Sequence, residues 1–133
     1  MTSDVDEIAR SILDRLVGAW NVADGKAWGA EFIDDADFVN IFGMQLRGRR
    51  EIEQRHQYLF DVLFKGSTCE VTVVDTRLLA PTIILAHSTS VAKIPSGPMA
   101  GQQASRQSIV FLRSDGGSWQ IAALHNTLIT SQL

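Results

Sequence analysis

Residues 69 to 129 hold four runs of strand-forming sequence with very little between them. "CEVTVVDTRLLA" (69–80), "TIILAHSTSVAKI" (82–94), "SRQSIVFLRS" (105–114) and "SWQIAALHNTLI" (118–129) are rich in β-branched residues. The breaks between them are "AP" at 80–81, "PSGPMAG" at 95–101 and "DGG" at 115–117. Connections this short imply antiparallel hairpins. The second half of the chain is therefore committed to a sheet, and one face of that sheet must be covered by the first half.

The first half supplies the cover. Ile8, Ile12, Leu16 and Trp20 recur every four residues, with Leu13 and Val17 beside them, which predicts a helix over Asp4–Ala23. Ser3 or Asp4 can cap it, and "DG" at 24–25 ends it. A short second helix, 26–33, carries Trp28 and Phe32. "DDADFVNIFG" (34–43) then changes period. Phe38, Asn40 and Phe42 alternate with Asp37, Val39 and Ile41, as in a strand. Gly43 permits a turn into a short return strand, "MQL". A third helix, 49–64, places Ile52, His56, Leu59 and Leu63 on one face, with Gly66 as its C-terminal cap. The order is α-α-β-β-α-β-β-β-β. It predicts one α+β domain over 1–133, a curved antiparallel sheet wrapped as a cone around three helices.

Charge and cysteine content narrow the function. The net charge of −3 and the absence of a basic patch argue against nucleic acid; the one basic cluster, "RGRRE" at 47–51, reads as a solvated first helical turn. The apolar runs are too short to cross a membrane as helices. The N-terminus lacks the basic start and apolar run of a secretory signal, and the single cysteine, Cys69, excludes an internal disulfide. A cytoplasmic location is expected. So is the absence of any metal or nucleotide cofactor, since the three histidines lack a close ligand spacing and no phosphate loop is present.

The element order, Trp20, "DDADFVNIFG", "RGRREIEQRH" (47–56), Arg106 and "GGSWQIAALHNT" (116–127) together resemble the nuclear transport factor 2-like superfamily, which includes ketosteroid isomerase and the SnoaL-like polyketide cyclases. The SgcJ/EcaC group is the most similar within it. The resemblance spans nearly the whole chain, and the closing W-x-I-x-x-x-H-N-T pattern is its most specific part. It implies a ligand site inside the cone, between sheet and helices.

Alternation along the last strand puts Trp119, Ile121, Ala123, His125 and Thr127 on one face and Asn126 on the other. The resemblance turns the first of these faces inward. His125 is thus expected in a cavity with Trp20, Asn40, His56 and Ile121, and Asn126 on the outer side. His56 falls on the apolar face of the third helix, where ketosteroid isomerase has a pocket tyrosine. His87 shares a strand face with Ile83, Leu85 and Val91. Asn40 matches the position of the isomerase's general-base aspartate, and Leu16 that of its oxyanion-hole tyrosine. Neither residue can do the corresponding chemistry, so ketosteroid isomerisation is not expected. Arg106 resembles the family's strand arginine.

Two readings follow for a small, largely apolar ligand. One is a cofactor-free acid/base enzyme of isomerase, cyclase or hydrolase type. Its catalytic residues are His125, His56 and Asn40, and its ligand contacts are Trp20, Tyr58, His87, Arg106, Ile121 and Ala123. The other is a non-catalytic ligand-binding or accessory protein with the same pocket. In either case, strands that carry apolar residues on both faces, such as Val73 with Val74 and Ile109 with Val110, predict a homodimer through the outer sheet face.

Overall fold

A computed structural model describes residues 4–130. Helix α1 (Asp4–Asn21) leads into the short α2 (Gly25–Gly29), whose first turn is capped by the Asp24 carboxylate accepting from Ala27 N–H at 3.0 Å. Strands β1 (Phe32–Val39) and β2 (Gln45–Arg47) follow, then α3 (Arg49–Tyr58). The long strands are β3 (Thr68–Ala80), β4 (Ile83–Ile94), β5 (Gly101–Arg113) and β6 (Trp119–Leu128). Among the described residues, no helix is long and apolar enough to cross a membrane.

The six strands form one sheet in the order β2-β1-β6-β5-β4-β3. The three hairpins of the second half are antiparallel, as expected, but the sheet is mixed. β1 lies beside the last strand and runs parallel to it, with Phe38 opposite Leu124 and Val39 opposite His125. These strands lie at opposite ends of the chain, so no hairpin fixes their direction.

Residues Ile12, Leu13 and Leu16 of α1 pack with Trp28, Phe32 and Ile52 against the inner sheet residues Ile84, Ile109, Phe111 and Ile121. Arg49 ties the start of α3 to the start of β1. Its Nε and Nη2 donate to the Phe32 carbonyl at 2.9 and 2.7 Å, and Nη1 pairs with Asp34 at 2.9 Å. It is therefore a structural clamp as well as part of a helix's first turn.

The third helix does not continue regularly to residue 64. Residues Leu59–Leu63 form a π-helical turn, closed by Phe64 N–H donating to Leu59 C=O across five residues. The wider turn rotates the following side chains by one place. Phe64, not Leu63, becomes the buried residue.

Two irregularities matter for the site. β1 ends at Val39, and a turn follows in which the Asn40 carbonyl accepts from Gly43 N–H at 3.0 Å and Gly43 takes φ +80°, a conformation glycine adopts without strain. β6 carries a bulge. Val110 lies opposite Ala123 but Phe111 lies opposite Ile121, so β6 has one extra residue, Ala122, at that step. Ile121 and Leu124, three apart, are consequently both buried.

Candidate functional site

The cone is open and holds a cavity of about 850 Å³, counted out to its mouth into open solvent. Helix α1 contributes Leu13, Leu16 and Trp20, and the turn after β1 contributes Asn40, Ile41 and Phe42. The sheet contributes an uncharged polar row described below. Among the described residues, no aspartate, glutamate, lysine or arginine lines it.

His56 is the histidine inside. It is buried, stacked on Trp28 with ring centroids 4.7 Å apart, and met edge-on by Phe38 at 4.7 Å. Its Nδ1 is 2.7 Å from the Ile52 carbonyl oxygen. A carbonyl can only accept, so Nδ1 carries the proton. Burial pulls the pKa down to about 4, against which the Ile52 hydrogen bond is a smaller opposing effect. At neutral pH the ring is therefore uncharged, in one tautomer, with its lone pair on Nε2.

Asn40 is 6 % exposed and lines the same cavity. Its Oδ1 accepts from the backbone N–H groups of Phe42 and Met44, each at 3.0 Å. An amide nitrogen could not accept those two bonds, so the side chain has one orientation. The turn occupies Oδ1 and leaves Nδ2 buried without a hydrogen-bond partner. Trp28 Nε1, on another cavity-lining side chain, is likewise buried and unpartnered. Trp20 Nε1 is satisfied by Ser67 Oγ at 3.0 Å.

Cys69 also lines the cavity, and burial raises its thiol pKa to about 12, with Glu70 adding to the rise. It is a neutral, weakly polar wall residue, not a nucleophile.

The polar row comes from the inner faces of β4, β5 and β6. Gln107 sits at its centre. Ser88 Oγ donates to Gln107 Oε1 at 2.7 Å. Gln107 Nε2 lies 2.9 Å from Ser90 Oγ, 2.8 Å from Ser105 Oγ and 3.0 Å from Asn126 Oδ1. Ser90 and Ser105 bond each other at 2.8 Å, and Asn126 Nδ2 donates to the Val39 carbonyl at 3.2 Å. Sequence reasoning missed this row. Parity from the buried Ile84 and Ile109 would have found it, since Ser88 and Ser90 follow Ile84 at even spacing, as Ser105 and Gln107 precede Ile109.

The expected site is only partly assembled. Asn40, His56 and Trp20 meet at the cavity. Ile121 is fully buried in the core beside it. His125 is not inside. The Ala122 bulge reverses the phase of β6 after Ile121, so His125 is exposed on the outer face and Asn126 turns inward. Ala123 shares the outer face for the same reason. His87 is also outside, with Nδ1 2.7 Å from Asp75 Oδ1. Both rows of β4 are apolar in places, and the row with Ile83 and Leu85 is the outer one. Arg106 stands opposite Thr89 and Thr127 on that outer face and is exposed. Tyr58 is 47 % exposed, with the Arg55 guanidinium 5.2 Å from its ring centroid. The three histidines are thus divided between two faces of a sheet. Among the described residues, no group of three His, Cys, Asp or Glu side chains could hold a metal.

No protein-family model matches the chain, and no curated protein matches it. Solved structures do. A domain of unknown function with a cystatin-like fold from Nostoc punctiforme is 28 % identical; the match covers 98 % of this chain and 81 % of that one, with a TM-score of 0.86. A nuclear transport factor 2-like protein with a cystatin-like fold from Novosphingobium aromaticivorans is 18 % identical over 97 % of this chain and 84 % of that one, with a TM-score of 0.79. A ketosteroid isomerase-like protein from Erwinia carotovora atroseptica is 15 % identical over 98 % of this chain and all (100 %) of that one, with a TM-score of 0.81. The α+β cone is the fold these proteins share with this chain.

Proposed function

We propose that this chain, which carries the cystatin-like cone of nuclear transport factor 2-like proteins, is a pocket protein that holds a small, neutral, largely apolar molecule between sheet and helices. One observation carries the reading: the cavity is open, its walls are mainly apolar, and its polar groups are all uncharged. A site of this kind favours molecules that can leave water without leaving a charge behind.

Binding is favoured over turnover. General acid/base groups work best with a pKa near the working pH. His56, at about 4, is a weak base, and its Nδ1 proton is already given to Ile52. A second reading, cofactor-free acid/base chemistry, rests on the His56 Nε2 lone pair, held in one tautomer on a residue of the cavity wall. The test is mass spectrometry of small molecules extracted from the purified protein, run beside Ala92→Phe, which adds a ring to the cavity wall. A molecule retained by the wild type and lost from the variant supports the pocket. Equal retention by both overturns it.

The same proposal includes a homodimer through the outer sheet face. The partly exposed Ile83, Leu85, Val91, Val110 and Leu112 support it, because the helices pack on the other side. Light scattering is expected to give twice the 14.6 kDa chain mass; a stable monomer at micromolar concentration overturns the dimer.

A further inference from the structure

We infer that the molecule held in this cavity presents a neutral carbonyl oxygen to the wall that carries Asn40. The inference rests on the pocket reading above and adds the ligand's chemistry. It comes from counting protons.

Asn40 Nδ2 has two protons and no partner, and its aim is fixed because Oδ1 is held by Phe42 and Met44 N–H. Trp28 Nε1 adds an unpartnered donor. The Gln107 network points the same way. Its Nε2 has two protons for three acceptors in reach, Ser90, Ser105 and Asn126. Between Ser90 and Ser105 only one hydroxyl proton is used, and Asn126 Nδ2 gives one of its two protons to Val39. A serine proton and an asparagine proton remain. The oxygens of the row keep spare lone pairs, and His56 Nε2 has another, yet none of them meets Asn40 Nδ2 or Trp28 Nε1, which stay unpartnered.

A buried donor without a partner is costly, about 1–3 kcal/mol in general, so a ligand that supplies an acceptor there relieves that cost. A carboxylate would supply acceptors too, but would be buried with no cation among the lining residues. An alcohol must also place its own proton. A ketone, aldehyde or ester oxygen accepts two hydrogen bonds and asks for nothing in return.

The experiment compares three probes on the full chain by ligand-detected NMR: carbonyl-¹³C-labelled 2-acetylnaphthalene, its hydrocarbon isostere 2-isopropenylnaphthalene, and 2-naphthoate. Asn40→Asp is the variant, because a carboxylate still accepts from Phe42 and Met44 N–H but replaces the donor with an acceptor. The ketone and hydrocarbon are expected to bind. The bound carbonyl resonance should move downfield of its position in an apolar solvent. Asn40→Asp should weaken the ketone about tenfold and the hydrocarbon less than about threefold. Equal losses for both probes, a bound carbonyl at its apolar-solvent position, or naphthoate binding more tightly than the ketone would each overturn the inference and leave the pocket standing. Failure of the hydrocarbon and ketone alike overturns both. If Asn40→Asp does not fold, the wild-type carbonyl shift decides alone.

Discussion

The two faces of strands β4 to β6 are made from the same stretches of sequence and carry opposite chemistry. The inner face holds Ser88, Ser90, Ser105, Gln107 and Asn126, polar but without charge, and joined by hydrogen bonds. The outer face holds His87, Arg106 and His125, with Asp75 paired to His87. Side chains that ionise stand where water or a partner can solvate them, and those that enter the cone are amides and hydroxyls. His56 fits the contrast, since burial keeps its ring neutral. A buried polar row is stable only if nothing in it has to carry a charge.

Four substitutions or conditions bear on that contrast, in descending order of effect. Phe111 lies fully buried on the inner face. Phe111→Ala should lower the unfolding free energy by about 3–5 kcal/mol in chemical denaturation; a loss below about 1 kcal/mol would mean that this face is not the core.

The second concerns acid. The unfolded histidine titrates near 6.5 and His56 in the fold near 4, so the unfolded state binds a proton first. The contribution of His56 is fully present above about pH 6.5 and is lost as pH falls toward about 4. The loss should reach about 3 kcal/mol. His56→Phe should flatten that part of the stability profile, and an unchanged profile would show that the ring is not buried neutral.

Third, Gln107→Leu removes the centre of the polar row and leaves Ser88 and Asn126 short of partners. A cost of about 1–3 kcal/mol is expected from thermal or denaturant unfolding. A neutral result would mean that the row is solvated rather than buried. Smallest of all, His125→Ala on the outer face should change stability by about 0.5 kcal/mol or less. It should leave ligand retention unchanged. A loss of retention would return His125 to the site.

The elements were legible because their signals are local. Ile8, Ile12, Leu16 and Trp20 mark a helix without reference to anything else, and the four strand runs announce themselves by β-branched content. The helix and strand bounds shift by only a few residues, except where the π-turn ends α3 early. Facing was less legible. It needs a phase, and alternation supplies one only while the strand is regular. In β4 both rows contain apolar residues, so the row with His87 passed as the inner one. In β6 the phase changes in mid-strand at Ala122, and nothing in "WQIAALHN" marks that alanine as extra. Asn40 was found because it sits before the irregularity of its own turn, on a row fixed by Phe38. Its unpartnered nitrogen, however, depends on Phe42 and Met44 N–H folding back onto Oδ1, which no spacing encodes.

The bulge at Ala122 divides the last strand into two segments with independent grammar. Before it, Ile121 belongs to the core; after it, Leu124 both closes the core and lines the cavity, and Asn126 and Leu128 line the cavity. A regular strand would tie the two together, since its core residues would dictate the parity of everything beyond them. With the extra residue in place, the row that enters the cone beyond Ala122 is Leu124, Asn126 and Leu128 instead of Ala123, His125 and Thr127. One inserted alanine thus decides, within a single ten-residue strand, that an amide and not an imidazole faces the cavity.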